Sequence, residues 1–122
     1  MTLDLEHDAQ DQAVREALED LRRVIRVIAH EGGGEREKYV LGYVDSVDHL
    51  LRVFVEDRPA FYRHANSGIL WHNMGSIEDL SDRRIWESLV RLADAMNIVG
   101  LANRATLDDA NRLRDWLARD GA

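Results

Sequence analysis

Three consecutive glycines, Gly32 to Gly34, stand between Glu31 and Glu35 and divide two apolar seams of matching length. Before them, Val14, Leu18, Leu21, Ile25 and Ile28 recur at steps of four, three, four and three. After them, Val40, Val44, Val47, Leu51 and Phe54 repeat those steps, with Tyr43 and Leu50 widening the face. This is the spacing of one side of a helix. Successive glycines surrender helix stability and let the chain reverse, and two matched helices joined by so short a loop pack antiparallel. The glycines also invite a phosphate-loop reading. They lack a following Lys-Ser/Thr, and the flanking glutamates would repel phosphate, so a hairpin turn is the reading that stands.

The next stretch, residues 58–76, holds the only proline, Pro59, and no carboxylate. Pro59 ends or restarts a helix, and Ser67-Gly68 and Gly75-Ser76 read as breaks, which predicts a broken segment around 58–80 with one short helix near 59–66. A third seam, Ile85, Leu89, Leu92, Met96 and Val99, follows Ser81 as N-cap, is widened by Trp86, and ends near Gly100–Asn103. Thr106 reads as the cap of a last helix that uses Leu113, Trp116 and Leu117 and stops at Gly121. No strand alternation, repeat or low-complexity linker appears. The expected fold is all-α: one domain over 1–122, an antiparallel four- to five-helix bundle opened by a long helical hairpin, with residues 1–7 frayed.

The chain has 122 residues, enough for a core without disulfides, and no cysteine, which removes thiol nucleophiles and Cys-based metal sites. No secretory leader and no run long enough to span a bilayer is present, so a cytoplasmic location is expected. Fifteen of the 16 basic residues are arginine, a pattern read as codon bias. Residues 1–20 hold six of the seven net negative charges. That balance opposes direct binding to nucleic acid. Glu16, Glu19 and Asp20 form a candidate acidic surface, against the plainer reading that acids favour the positive end of a helix dipole.

Asp45 and His49 have the i, i+4 spacing of two metal ligands, with Asp48 beside them. No histidine has the preceding glutamate of a Glu-x-x-His site, and the face, completed by Arg52, lies beside the seam, so it reads as solvated ion pairs with no metal or cofactor. In the 58–76 segment, His64 and His72 have Arg58, Arg63, Tyr62, Asn66 and Asn73 nearby as donors, a set suited to an anion or phosphodiester. The competing reading makes Phe61, Ile69, Leu70 and Trp71 a plug over the bundle end, with polar neighbours satisfying loop backbone. As a contact surface the segment offers Phe61, Tyr62, Arg63, Trp71 and Asn73. Trp71, Trp86 and Trp116 are candidates for an apolar ligand pocket or, more simply, for core and interface anchors.

Arg58 to His64, "RPAFYRH", resembles the Arg-x4-6-His motif of HEPN ribonucleases, small helical domains in which the two residues act on an RNA phosphodiester at a dimer cleft. The resemblance covers seven residues. It implies that Arg58 or Arg63 stabilises phosphate charge while His64, helped by His72, transfers a proton. Pro59 takes a position where that family usually has a polar residue. Residues 89–121 are similar in outline to a winged helix-turn-helix, but the interval is long, Asp108 and Asp109 sit where phosphates would approach, and no wing follows. No nucleophile elbow exists. The function expected first is a non-enzymatic binding or regulatory protein working through protein contacts. A homodimer or stable complex is expected because three seams suggest more apolar surface than one thin chain covers. The alternatives are the HEPN-like ribonuclease and a small-ligand site within the bundle.

Overall fold

The reversal at the glycines takes a single residue. In the computed structural model, which describes residues 2–67, 70–71, 77–80 and 82–120 (the side chains of 2–8, 10, 78, 79 and 120 excepted), α1 spans Thr2–Gly32 and α2 spans Gly34–Glu56. Gly33 and Gly34 both have positive φ, 60° and 57°, a region where a Cβ meets its own carbonyl, so two glycines are what the turn demands. The Gly33 N–H still donates to Ala29 O and its carbonyl accepts from Glu37 N, which keeps both helix ends hydrogen-bonded through the turn. The α1 helix begins at Thr2, within the stretch expected to fray.

Among the described residues α3 over Arg58–Ala65, α4 over Arg83–Ile98 and α5 over Arg104–Asp120 follow, with a 3-10 turn at Ile77–Leu80. The fold is all-α, with no strand among the described residues, and no described helix is long and apolar enough to cross a membrane. The α1 helix takes the middle position, flanked by α2 and α4; α5 lies against α4, and α3 against the end of α2.

Most seam residues sit where the spacing puts them. Val14, Leu18, Leu21, Ile25, Val40, Val47, Ile85, Leu89, Leu92, Met96 and Leu113 are buried in one continuous core. One register position differs: Leu50 is fully buried and Leu51 only partly. On a straight helix Leu51 lies about 20° and Leu50 about 80° around from Val40, so the burial of Leu50 is decided by what packs against α2, not by the spacing. Val99 is likewise half-buried, as the C-cap of α4. Because the seams are consumed within one chain, they supply no apolar surface that requires a second one. The accessible surface, 7251 Å² for 14.0 kDa, lies within about a tenth of what a monomeric globular chain of this mass exposes.

Two helix starts differ by position from expectation. The N-cap of α4 is Asp82, whose carboxylate accepts from Arg84 N at 2.8 Å, while Ser81 lies outside the described residues. For α5 the start is Arg104, and Asn103 Oδ1 accepts from Thr106 N at 2.8 Å. Thr106 is therefore inside the first turn, where its buried hydroxyl serves another element. Gly121 lies outside the described residues.

Arginine–carboxylate contacts link the helices: Asp11 to Arg58 (α1–α3), Arg22 to Asp48 at 2.6 Å (α1–α2), Glu31 to Arg84 at 2.7 Å and Asp20 to Arg91 at 3.0 Å (α1–α4), and Asp94 to Arg114 at 2.8 Å (α4–α5). Exposed pairs of this kind contribute about 0–1 kcal/mol each, so they set register more than stability.

Candidate functional site

The corner opened by Pro59 is built by local chemistry. Asp57 has extended backbone and caps α3, its carboxylate accepting from Ala60 N at 3.1 Å, and Pro59 falls in the first turn, where a missing N–H costs nothing. At the other end Asn66 acts as a staple. Its Nδ2 donates to Tyr62 O at 2.7 Å and Leu101 O at 2.9 Å; its Oδ1 accepts from Asn103 N at 2.9 Å and Thr106 Oγ1 at 2.8 Å. One amide thus ties α3 to the α4–α5 linker and the start of α5. That linker leaves α4 through a Schellman turn: Gly100 (φ 77°) donates to Asn97 O and Leu101 N donates to Met96 O. The turn carries Leu101 outward, leaving it 48 % exposed.

Between α3 and this linker lies an open groove of about 800 Å³, lined by Arg58, Pro59, Tyr62, Arg63, Asn66, Ser67, Leu101 and Asn103. Among the described residues no carboxylate lines it, in a chain with 23 acids and 16 bases. Its two arginines differ. The Arg58 guanidinium stacks 3.9 Å over the Phe54 ring, its Nε donates to Phe54 O at 2.9 Å, and its head pairs with Asp11. Asp11 also accepts from the Tyr62 hydroxyl at 2.9 Å. Burial pushes the Tyr62 pKa well above its ordinary value, the Asp11 hydrogen bond and charge add to this, and Arg58 partly offsets it. Arg63 is exposed and has no ion-pair partner among the described residues.

The candidate residues fall into separate places. Phe61 and Trp71 are buried: Phe61 meets Phe54 edge-on at 5.1 Å, and Trp71 Nε1 donates to Ala65 O at 2.8 Å. They plug the core, and only Tyr62 and Arg63 of the expected contact set reach the groove. Asn73 and His72 lie outside the described residues. Arg58 and His64 share α3, but six residues turn a helix through about 240°, so they leave it on different sides. Arg58 faces Asp11 of α1, and the exposed His64 ring meets His49 of α2 at 5.8 Å. Within one chain, Arg58 and His64 are therefore not brought together.

Glu16 is exposed and Glu19 pairs with Arg15 at 3.1 Å, but Asp20 is turned inward. It contacts Arg23 at 2.6 Å, Ser88 Oγ at 3.1 Å and Arg91 at 3.0 Å. Burial alone would raise its pKa; the hydrogen bonds from Arg23 and Ser88 and the charges of Arg23 and Arg91 outweigh that and lower it. Asp20 is an interhelix anchor rather than part of an acidic surface. Trp86 and Trp116 pair at 5.2 Å between α4 and α5, while Trp71 is buried beside α3, its indole N–H on Ala65 O. Asp48 is held by Arg22, whose Nε sits 2.6 Å away but off the N–H direction, a charge contact rather than a hydrogen bond. No cluster of three or more metal-ligating side chains exists among the described residues.

Sequence reasoning missed Leu101 and Asn103. The available signal was Gly100, whose place just after a helical seam marks a turn that exposes the next side chain. No family model, curated protein or solved structure matches this chain.

Proposed function

We propose that this protein is a small non-enzymatic interaction module and that the groove between α3 and the α4–α5 linker is its principal contact surface. The observation that carries the reading is one of composition in place: a half-exposed leucine and the Pro59 and Tyr62 walls sit beside Arg63, which has no ion-pair partner among the described residues. Apolar centre and cationic rim favour a protein segment with an apolar anchor and acidic flanks. The groove stands on a stapled corner, so partner binding meets a preformed surface and loses little entropy there.

The test is partner capture with the wild-type chain, Leu101→Glu, Arg63→Glu and, as a control at the far end of the hairpin, Glu35→Arg. The expected result is a defined partner lost from both groove variants and kept by the control, with unchanged helical circular dichroism throughout. A partner retained equally by all four chains would refute the assignment of this groove.

A further inference from the structure

Independently of the groove, one flank of α2 carries a strip whose order of side chains is complementary to itself. The inward side of α2 is Val40, Val44, Val47, Leu50 and Phe54, all buried against the core. Beside it, about 120° around the helix on the flank that also meets Arg22 of α1, stand Leu41, Asp45, Asp48, Arg52 and Val55, again at steps of four, three, four and three, the spacing of a helix-pairing seam. Its two ends are apolar and open to solvent, Leu41 at 39 % and Val55 at 69 %. Asp45 and Arg52 are exposed and have no ion-pair partner among the described residues. Asp48, at the centre, is already neutralised by Arg22 of the same chain.

Read in one direction the strip is apolar, acidic, acidic, basic, apolar; read in reverse it is apolar, basic, acidic, acidic, apolar. From this we infer that α2 pairs antiparallel with α2 of a second copy of this chain, about a twofold axis at Asp48. In that register Leu41 meets Val55 of the second copy and Asp45 meets its Arg52, and each contact occurs twice, as an isologous interface requires. The two Asp48 carboxylates approach at the axis, each with its own Arg22 beside it. A parallel pairing in register would set Asp45 on Asp45 and Arg52 on Arg52, which like-charge repulsion disfavours. A shallow groove of about 720 Å³ along the strip, where Leu51 and Val55 stand among Arg22, Asp45, Asp48, Arg52 and Glu56, gives the opposing side chains room to enter.

Size sets the strength. Leu41 to Val55 spans fourteen helical rises, about 21 Å, and a helix is about 10 Å wide. Such a contact belongs to the small class of interfaces, which makes the dimer reversible, with Kd on the order of 10–100 μM.

The experiment is sedimentation velocity of the full chain from about 1 μM to 1 mM, at low salt so that charge contacts are not screened. Wild type is expected to pass from monomer to dimer over this range. Asp45→Arg and Arg52→Asp should each weaken association by about tenfold or more, and the double exchange, Asp45→Arg with Arg52→Asp, should return it to near the wild-type value. The absence of cysteine allows a second readout that also reports orientation. Mixed Leu41→Cys and Val55→Cys chains should form a disulfide with each other, whereas Val55→Cys alone should not, since its two copies stand about 21 Å apart. A wild-type chain that stays monomeric at 1 mM, a double exchange no better than the single ones, or ready self-crosslinking of Val55→Cys would each overturn the inference. Leu101→Glu leaves this equilibrium unchanged while emptying the groove, so the two surfaces fail or stand separately.

Discussion

Replacing Asn66 with alanine removes the staple between α3 and the α4–α5 linker, and the four bonds it makes allow the cost to be worked out. Two acceptors, Tyr62 O and Leu101 O, and one donor, Asn103 N, lie close enough to solvent for water to replace much of what is lost. Each such bond contributes a net of about 0.5–1 kcal/mol. The Thr106 hydroxyl is different: at 1 % exposed it has no access to water, and leaving it unpaired costs about 1–2 kcal/mol. The total is about 2.5–5 kcal/mol, which for a chain of this size lowers Tm by roughly 10–20 °C. Urea denaturation followed by circular dichroism measures it. Thr106→Val should cost under about 1 kcal/mol, because Asn66 Oδ1 keeps its bond from Asn103, and adding Asn66→Ala to it should cost less than in the wild type, since no hydroxyl is then orphaned. An Asn66→Ala loss below about 0.5 kcal/mol, or strict additivity with Thr106→Val, would refute the staple.

Three further outcomes follow from the packing. Leu50→Ala should cost about 3–4 kcal/mol and Leu51→Ala about 1 kcal/mol, read by denaturant titration; the reverse order would restore the strict heptad register. Gly33→Ala should destabilise by about 1–2 kcal/mol through its positive φ, with open space around the new Cβ, whereas Gly42→Ala, in regular helix with equally open space, should stabilise by about 0.5–1 kcal/mol. The Tyr62 pKa is raised in the folded state above its ordinary value of about 10, so its contribution is intact below pH 10 and is lost as pH rises beyond it, by up to about 1.4 kcal/mol per unit. In Tyr62→Phe that alkaline limb should flatten in thermal melts between pH 9 and 11.5.

The helices were legible because apolar spacing is local: the hairpin, the α4 seam and the α5 side could all be read from steps of three and four. The burial of Leu50 ahead of Leu51 was not, since it depends on which elements pack against α2 and not on the spacing within it. The starts of α4 and α5 were placed within three residues, but Ser81 against Asp82 and Thr106 against Asn103 are choices made by backbone geometry, and each alternative is a competent cap. Charged residues were least legible. Asp20 reads as surface acid until Ser88 and Arg91 arrive from about seventy positions away, and Arg58 reads as a free cation until Asp11 arrives from α1. The 58–76 stretch drew attention by its composition; Phe61 and Trp71 proved to be core, and its contribution to a surface came from Pro59, Tyr62 and Arg63 in combination with Leu101 from beyond the end of α4.

The most direct measurement is photo-crosslinking in living cells with a benzophenone amino acid placed at Leu101, beside a control placed at the exposed Tyr39 on the far part of α2. A groove that receives a protein segment predicts one discrete protein adduct from position 101, absent from position 39 and abolished by Arg63→Glu. Adducts with RNA from position 101, or no adduct there under conditions where position 39 gives one, would contradict it.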